Sequence, residues 1–109
     1  MINRGDVFIA QLNPVVGSEA NKRRPCLIVS NDANNKAAGT VTVLPITSNV
    51  ERVYPFEIHL ETELDRPCKV QASQVRTISK QRLVGLPVAR LGADTMRSVD
   101  HALRLHLDL

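Results

Sequence analysis

A chain of 109 residues is long enough for one hydrophobic core and too short for a second, so one unit spanning residues 1–109 is expected. Fourteen Lys and Arg against eleven Asp and Glu leave a net charge of +3, a mild bias compatible with nucleic acid but not diagnostic of it. Two Phe, one Tyr and no Trp argue against a broad base-stacking platform, and no apolar run reaches the roughly 18 residues that a membrane span needs.

In chain order, the Gly5-Asp6 turn leads into an apolar run over residues 7–12 that reads as a first strand, ended by Asn13-Pro14. Residues 16–23, with Gly17, Ser18 and Asn21, have the composition of an exposed mobile loop and make a candidate lid. Lys22, Arg23 and Arg24 are consecutive and put three cations at the mouth of the next strand, where they can meet a phosphate backbone. Residues 26–29 are apolar on both faces, the pattern of a buried central strand, and Pro25 falls at its first position, where a missing N–H costs little.

Residues 31–36 are rich in capping and turn formers and read as a loop with room for one helical turn before Gly39. Residues 40–44 return as a strand. Pro45 is expected to end regular pairing, so that Thr47, Ser48 and Asn49 leave the sheet as polar side chains held just beyond its end.

Residues 56–61 alternate apolar and polar, which gives a strand with one wet face and His59 on it. A turn over residues 64–67 leads to a short strand at 68–71, and residues 74–78 alternate again, with Gln74 and Arg76 on that strand. Ser79 caps a brief turn through Leu83, ended by Gly85, before extension resumes at residues 87–90. From Ala93 to Leu107, the residues Met96, Val99, Ala102, Leu103 and His106 share a helical stripe, with Gly92 near the N-cap and Asp94 suited to the first turn. The sum is a mixed α/β, mainly β chain: a small, strongly bent sheet forming a partial barrel, with one long C-terminal helix over an opening.

The candidate chemical groups narrow quickly. Cys26, Cys68 and the three histidines show no C-x-x-C or H-x-x-x-H spacing, so neither a metal nor another cofactor is expected. His101 and His106 fall on the helix and His59 on a wet strand face, which suits structural or solvated roles better than a paired-histidine nuclease. Residues 1–5 carry no cationic-then-apolar leader, and the expected compartment is the reducing cytoplasm.

Five ordered blocks carry a resemblance: Arg4-Gly5-Asp6-Val7, Pro14-Val15-Val16-Gly17-Ser18-Glu19, Arg24-Pro25-Cys26-Leu27-Ile28-Val29-Ser30-Asn31-Asp32, Pro45-Ile46-Thr47-Ser48 and Gln74-Val75-Arg76-Thr77. With Val99-Asp100-His101-Ala102-Leu103 and Leu105-His106-Leu107 in the helix, the chain resembles the MazF/PemK toxins over nearly its whole length. The resemblance implies an SH3-like barrel, a symmetric homodimer, cleavage of single-stranded RNA at a short sequence, and neutralisation by a MazE-like antitoxin. Its pattern makes Arg24 and Thr47 catalytic and puts Gln74 and Arg76 near the RNA groove. Lys22, Arg23, Ser48 and Asn49 are added as RNA-binding candidates from their charge or their place beside these blocks. Many such toxins carry an acidic residue before the glutamine of the last block; this chain has Ser73, so no carboxylate role transfers to that position.

Metal-free RNA cleavage needs few protein groups, because the ribose 2′-OH attacks its own phosphorus and leaves a 2′,3′-cyclic phosphate and a 5′-OH. A guanidinium suits the charge gathering on the phosphoryl oxygens, while its pKa above about 12 makes it a poor proton shuttle. A threonine hydroxyl can hydrogen-bond the 2′-OH or a phosphate oxygen. Neither is a good base, and the sequence leaves the base unassigned. Two rival readings are a CcdB-like toxin that binds gyrase, which relies on a C-terminal Trp that is absent here, and a barrel that binds nucleic acid without cutting it.

Overall fold

The computed structural model describes all residues, 1–109. The strands are β1 (Asp6–Gln11), β2 (Arg23–Ile28), β3 (Thr40–Thr47), β4 (Glu57–Leu60), β5 (Cys68–Gln71), β6 (Arg76–Ser79) and β7 (Leu83–Arg90); the helices are α1 (Asp32–Ala37) and α2 (Ala93–Leu107). All pairings are antiparallel, in the order β4-β5-β3-β2-β1-β7, with β6 also on β3. The sheet bends strongly and stays open: no ladder joins β7 to β4, so the expected partial barrel is a mainly β sheet with a C-terminal helix and no closure.

Period-two alternation explains why both faces of the central strands are apolar. On one face Val7, Leu27, Leu44, Ile46, Leu60 and Val70 pack with Leu91 and with Met96, Val99 and Ala102 of α2. On the other, Phe8, Ala10, Leu12, Cys26, Ile28, Val41, Val43 and Ile78 form a second core inside the bend. The helical stripe behaves as its spacing predicts through Leu103, but His106 is exposed and its ring lies 5.9 Å from that of Phe56. No helix is long and apolar enough to cross a membrane.

Four local expectations shift. Pro45 does not end β3: it is opposite Cys26 in the β2 ladder, and on the other edge it falls between Val43, paired with β6, and Ile46, paired with β5. A missing N–H is tolerated there because the edge changes partner at that point. Gln74 belongs to a short 3-10 turn, Ala72–Gln74, and β6 begins only at Arg76. The capping residues at 31–36 do build a short helix, with Asn31 Oδ1 accepting from the Asn34 amide at 2.8 Å. Gly85 lies inside β7 at φ +68, where the register against β1 slips: Val7 faces Ala89 and Ile9 faces Val84, so the residues between arch away from the sheet.

Candidate active site

The site begins with two strand ends. Cys26 faces Pro45 and Leu27 faces Leu44, so continuing that register two residues toward the open end brings Arg24 beside Thr47. Both line one cleft of about 370 Å³, together with Arg23 and Pro25 of β2, Ile46 and Ser48 at the end of β3, Ile9 of β1, and Leu64, Asp65, Arg66 and Cys68 around the turn into β5. The strand pairing is what converts two distant sequence blocks into one surface.

Arg24 is half-buried, and its Nε donates to the Asn21 carbonyl at 2.8 Å. This bond fixes the stem of the guanidinium and leaves its two terminal nitrogens unpartnered, a geometry fit for a bidentate hold on phosphate. Thr47 Oγ1 accepts from the Asn49 amide at 3.3 Å, which leaves the hydroxyl proton free to donate. None of the six ion pairs involves Lys22, Arg23, Arg24 or Arg76, and the one carboxylate in the cleft wall, Asp65, pairs with Arg66 at 3.6 Å.

The remaining predicted residues spread around this cleft. Gln74 does not line it; its Oε1 accepts from the Ala20 amide at 3.1 Å and its Nε2 donates to the Ser18 carbonyl at 3.5 Å. Arg76 Nη1 donates to the Leu12 carbonyl at 3.3 Å. Together with the Leu12 amide donating to the Lys22 carbonyl and the Lys22 amide donating to Asn13 Oδ1, these bonds tie down the segment that the sequence marks as a loose lid. Lys22 sits at φ +65, and its side chain makes no hydrogen bond. Asn49 turns into a neighbouring cavity with Glu51, Arg52, Tyr54 and Lys69. Ser73 lies in the 3-10 turn beside Gln74 and is half-buried.

Sequence reasoning missed the turn at residues 64–66 and Cys68 as walls of the cleft, since nothing local in a Leu-Asp-Arg-Pro turn says which strand end it will face. His59, His101 and their neighbours lie in a separate groove between β4 and α2. Tyr54 and Phe56, two of the three aromatic rings, stack with centroids 5.5 Å apart and planes at 5°.

Cys26, behind Arg24 in the second core, has its thiol pushed from the ordinary 9.0 up to about 12 by burial, against the opposing pull of the Arg76 and Arg24 charges. The folded thiol should therefore resist iodoacetamide at pH 8 and react once denaturant exposes it, as mass spectrometry would register. The folded state holds this proton where the unfolded one releases it, so Cys26 should make stability fall as pH rises from about 9 toward 12. Rapid labelling of Cys26 without unfolding would contradict its burial.

An open, bent antiparallel sheet backed by one terminal helix, with a basic cleft at its strand ends, defines a small mainly β protein built to hold an anion. The chain belongs to the PemK-like, MazF-like toxin family of type II toxin-antitoxin systems, whose family model matches residues 3–107. It is 44% identical over 117 residues to Endoribonuclease MazF9 of Mycobacterium tuberculosis, covering 100% of this chain and 98% of that protein. Among solved structures, MazF of Deinococcus radiodurans superposes with a TM-score of 0.88 at 28% identity, covering 99% of this chain and 97% of that one. An endoribonuclease from a mycobacterial species, solved in complex with its cognate antitoxin, matches with a TM-score of 0.83 at 26% identity, covering 100% of this chain and 97% of that one.

Proposed function

We propose that this toxin is an endoribonuclease that cuts single-stranded RNA at a short sequence without a metal, leaving 2′,3′-cyclic phosphate and 5′-OH ends, and that a MazE-like antitoxin silences it. The observation that carries the reading is the meeting of Arg24 and Thr47 in one cleft, where neither Arg23 nor Arg24 joins an ion pair. The full-length similarity to a protein named an endoribonuclease supports the same activity.

In this mechanism the scissile phosphate lies across the strand ends. The terminal nitrogens of Arg24 bind two of its non-bridging oxygens and stabilise the charge that builds there as the 2′-oxygen attacks. Thr47 hydrogen-bonds the attacking ribose or a phosphate oxygen and keeps the attack in line. As the O2′–P bond forms the 2′-OH gives up its proton to solvent, the P–O5′ bond breaks, the 5′-oxygen takes up a proton from solvent, and the cyclic phosphate remains on the upstream fragment. Arg23, Lys22 and Arg76 bind flanking phosphates, and Ser48, Asn49 and Gln74 offer hydrogen bonds along the strand. Arg24 and Thr47 bring a positive charge and a hydroxyl to the phosphate, which accords with a metal-free route.

A homodimer is part of the proposal, supported by apolar side chains that one chain leaves uncovered: Leu86 and Val88 on the arch of β7, and Leu105, Leu107 and Leu109 at the end of α2. The antitoxin assignment is supported by the relative solved with its cognate antitoxin. A cytoplasmic site of action accords with two free thiols, Cys26 and Cys68.

The test is incubation of the purified protein with single-stranded RNA in excess chelator, followed by end mapping. Discrete 5′-OH ends are expected, and a 2′-deoxy residue at the cut position should abolish the cut. Intact RNA across a broad panel, or cleavage that survives the deoxy substitution, would refute the mechanism. Binding without turnover would favour the non-catalytic barrel.

A further inference from the structure

Lys69 is a buried cation, 8% exposed, directly opposite Thr47 in the ladder between β3 and β5. Its Nζ donates to Glu57 Oε1 at 3.0 Å and to the backbone carbonyl of Arg52 at 2.6 Å. Glu57, with a side chain only 4% exposed, in turn accepts from the Tyr54 amide through the same Oε1 at 2.9 Å. A buried ion pair is a costly element to keep, and here both partners grip the backbone of one segment, the loop that follows Thr47.

That loop is tied at its other end to the cleft. The Asn49 amide donates to Thr47 Oγ1, and Asn49 Oδ1 accepts from the Glu51 amide at 3.2 Å. Between the two ties stand Arg52 and Tyr54, both exposed, with the Arg52 guanidinium 5.8 Å from the centre of the Tyr54 ring. Tyr54 rests on Phe56, and the loop lines a cavity of about 430 Å³ next to the cleft. Arg52 Nη1 donates to the Tyr54 hydroxyl at 3.2 Å, and a supported aromatic ring beside an exposed guanidinium in no ion pair is the chemistry that holds a nucleobase by stacking and its phosphate by charge.

We infer that the buried Lys69–Glu57 pair is a positioning device that holds the loop between Thr47 and Tyr54 as an RNA subsite, in which Tyr54 stacks a nucleobase flanking the cut and Arg52 meets the adjoining phosphate. This rests on the RNA-cleaving reading above. Lys69 and Glu57 act through the loop and touch no RNA.

The test is the paired variant Lys69→Met/Glu57→Leu, which removes both charges for apolar side chains of similar size and is therefore expected to fold. Hydrogen exchange of the Tyr54 amide should accelerate at least tenfold while amides of β2 and β3 stay protected. On a long single-stranded RNA, kcat/KM should fall about tenfold or more, mainly through KM, and the preference for the base beside the cut should broaden. A short substrate carrying only the scissile phosphate and its two nucleosides should be cut as before. Tyr54→Ala should reproduce the loss on long RNA without altering exchange at Arg52. Unchanged exchange of the Tyr54 amide overturns the positioning role whether or not RNA is cut. Unchanged base preference in an active protein overturns the subsite. An inert wild-type protein with a loosened loop in the variant would defeat the nuclease reading and the subsite with it, while leaving the loop tie established.

Discussion

Arg24→Ala is expected to slow RNA cleavage about 10²- to 10³-fold, the loss of roughly 3 to 4 kcal/mol that follows removal of one preorganised contact to charge developing in a transition state. The effect should fall on kcat, because ground-state phosphate is also held by neighbouring cations that stay in place. Stability should change little: the side chain is half-buried, joins no ion pair, and makes its single hydrogen bond to the Asn21 carbonyl in a loop. Arg24→Lys should recover only part of the rate, since an ammonium cannot grip two phosphate oxygens at once. Single-turnover cleavage assays with thermal melts of each variant separate the outcomes. Full activity in Arg24→Ala removes the guanidinium from the mechanism, and collapse of the melt makes it a structural residue instead.

The opposite profile is expected at Leu44. Its side chain is fully buried on β3, opposite Leu27, in the core that packs against α2. Leu44→Ala should cost about 2 to 5 kcal/mol through lost burial and the cavity left behind. For a chain of this size each kcal/mol lowers Tm by about 4 to 8 °C. Below its melting point the variant should still cut RNA at a rate set by its folded fraction, because Thr47 and Arg24 lie beyond the buried segment. Urea titration read by circular dichroism at fixed protein concentration measures the loss; fixing concentration matters because an associating chain stabilises itself by mass action. A change below about 1 kcal/mol would mean that the strand does not anchor the core as its burial implies.

Set side by side, the two substitutions test a division of labour along β3. Its interior holds the sheet to the helix, and its last residue enters the cleft. Pro45 marks the point where the outer edge of the strand passes from β6 to β5, and beyond it Ile46 still belongs to the core while Thr47 meets the cleft.

Much of this arrangement is written locally. Alternation over residues 56–61 and the helical stripe from Ala93 identify their elements because side-chain direction follows backbone period, whatever the rest of the chain does. Asn31 as a helix cap is equally local, settled by one hydrogen-bonding requirement, whereas Pro25 is not at the head of its strand: β2 starts at Arg23 and sets Pro25 third, opposite Ile9. The Arg-Pro and Pro-x-Thr-Ser blocks name Arg24 and Thr47 through family resemblance, and isolated residues of those types would have carried no such meaning.

What the linear order left open depended on partners distant in the chain. Pro45 reads as a strand end until β5 and β6 are seen to share its outer edge, and Gln74 reads as a strand residue until the 16–23 loop folds back to meet its amide. Lys69 and Glu57 look like ordinary charges on alternating strands; only the pairing of β4 with β5 sets them together and buries both. Periodicity and capping chemistry therefore decided most of the elements of this chain, since those depend on neighbours within a few residues, and the resemblance of its sequence blocks supplied the candidate groups. The meeting of Arg24 with Thr47, the bracing of the loop beside them and the open edge of the sheet were decided by strand register, a relation between segments that no single segment contains.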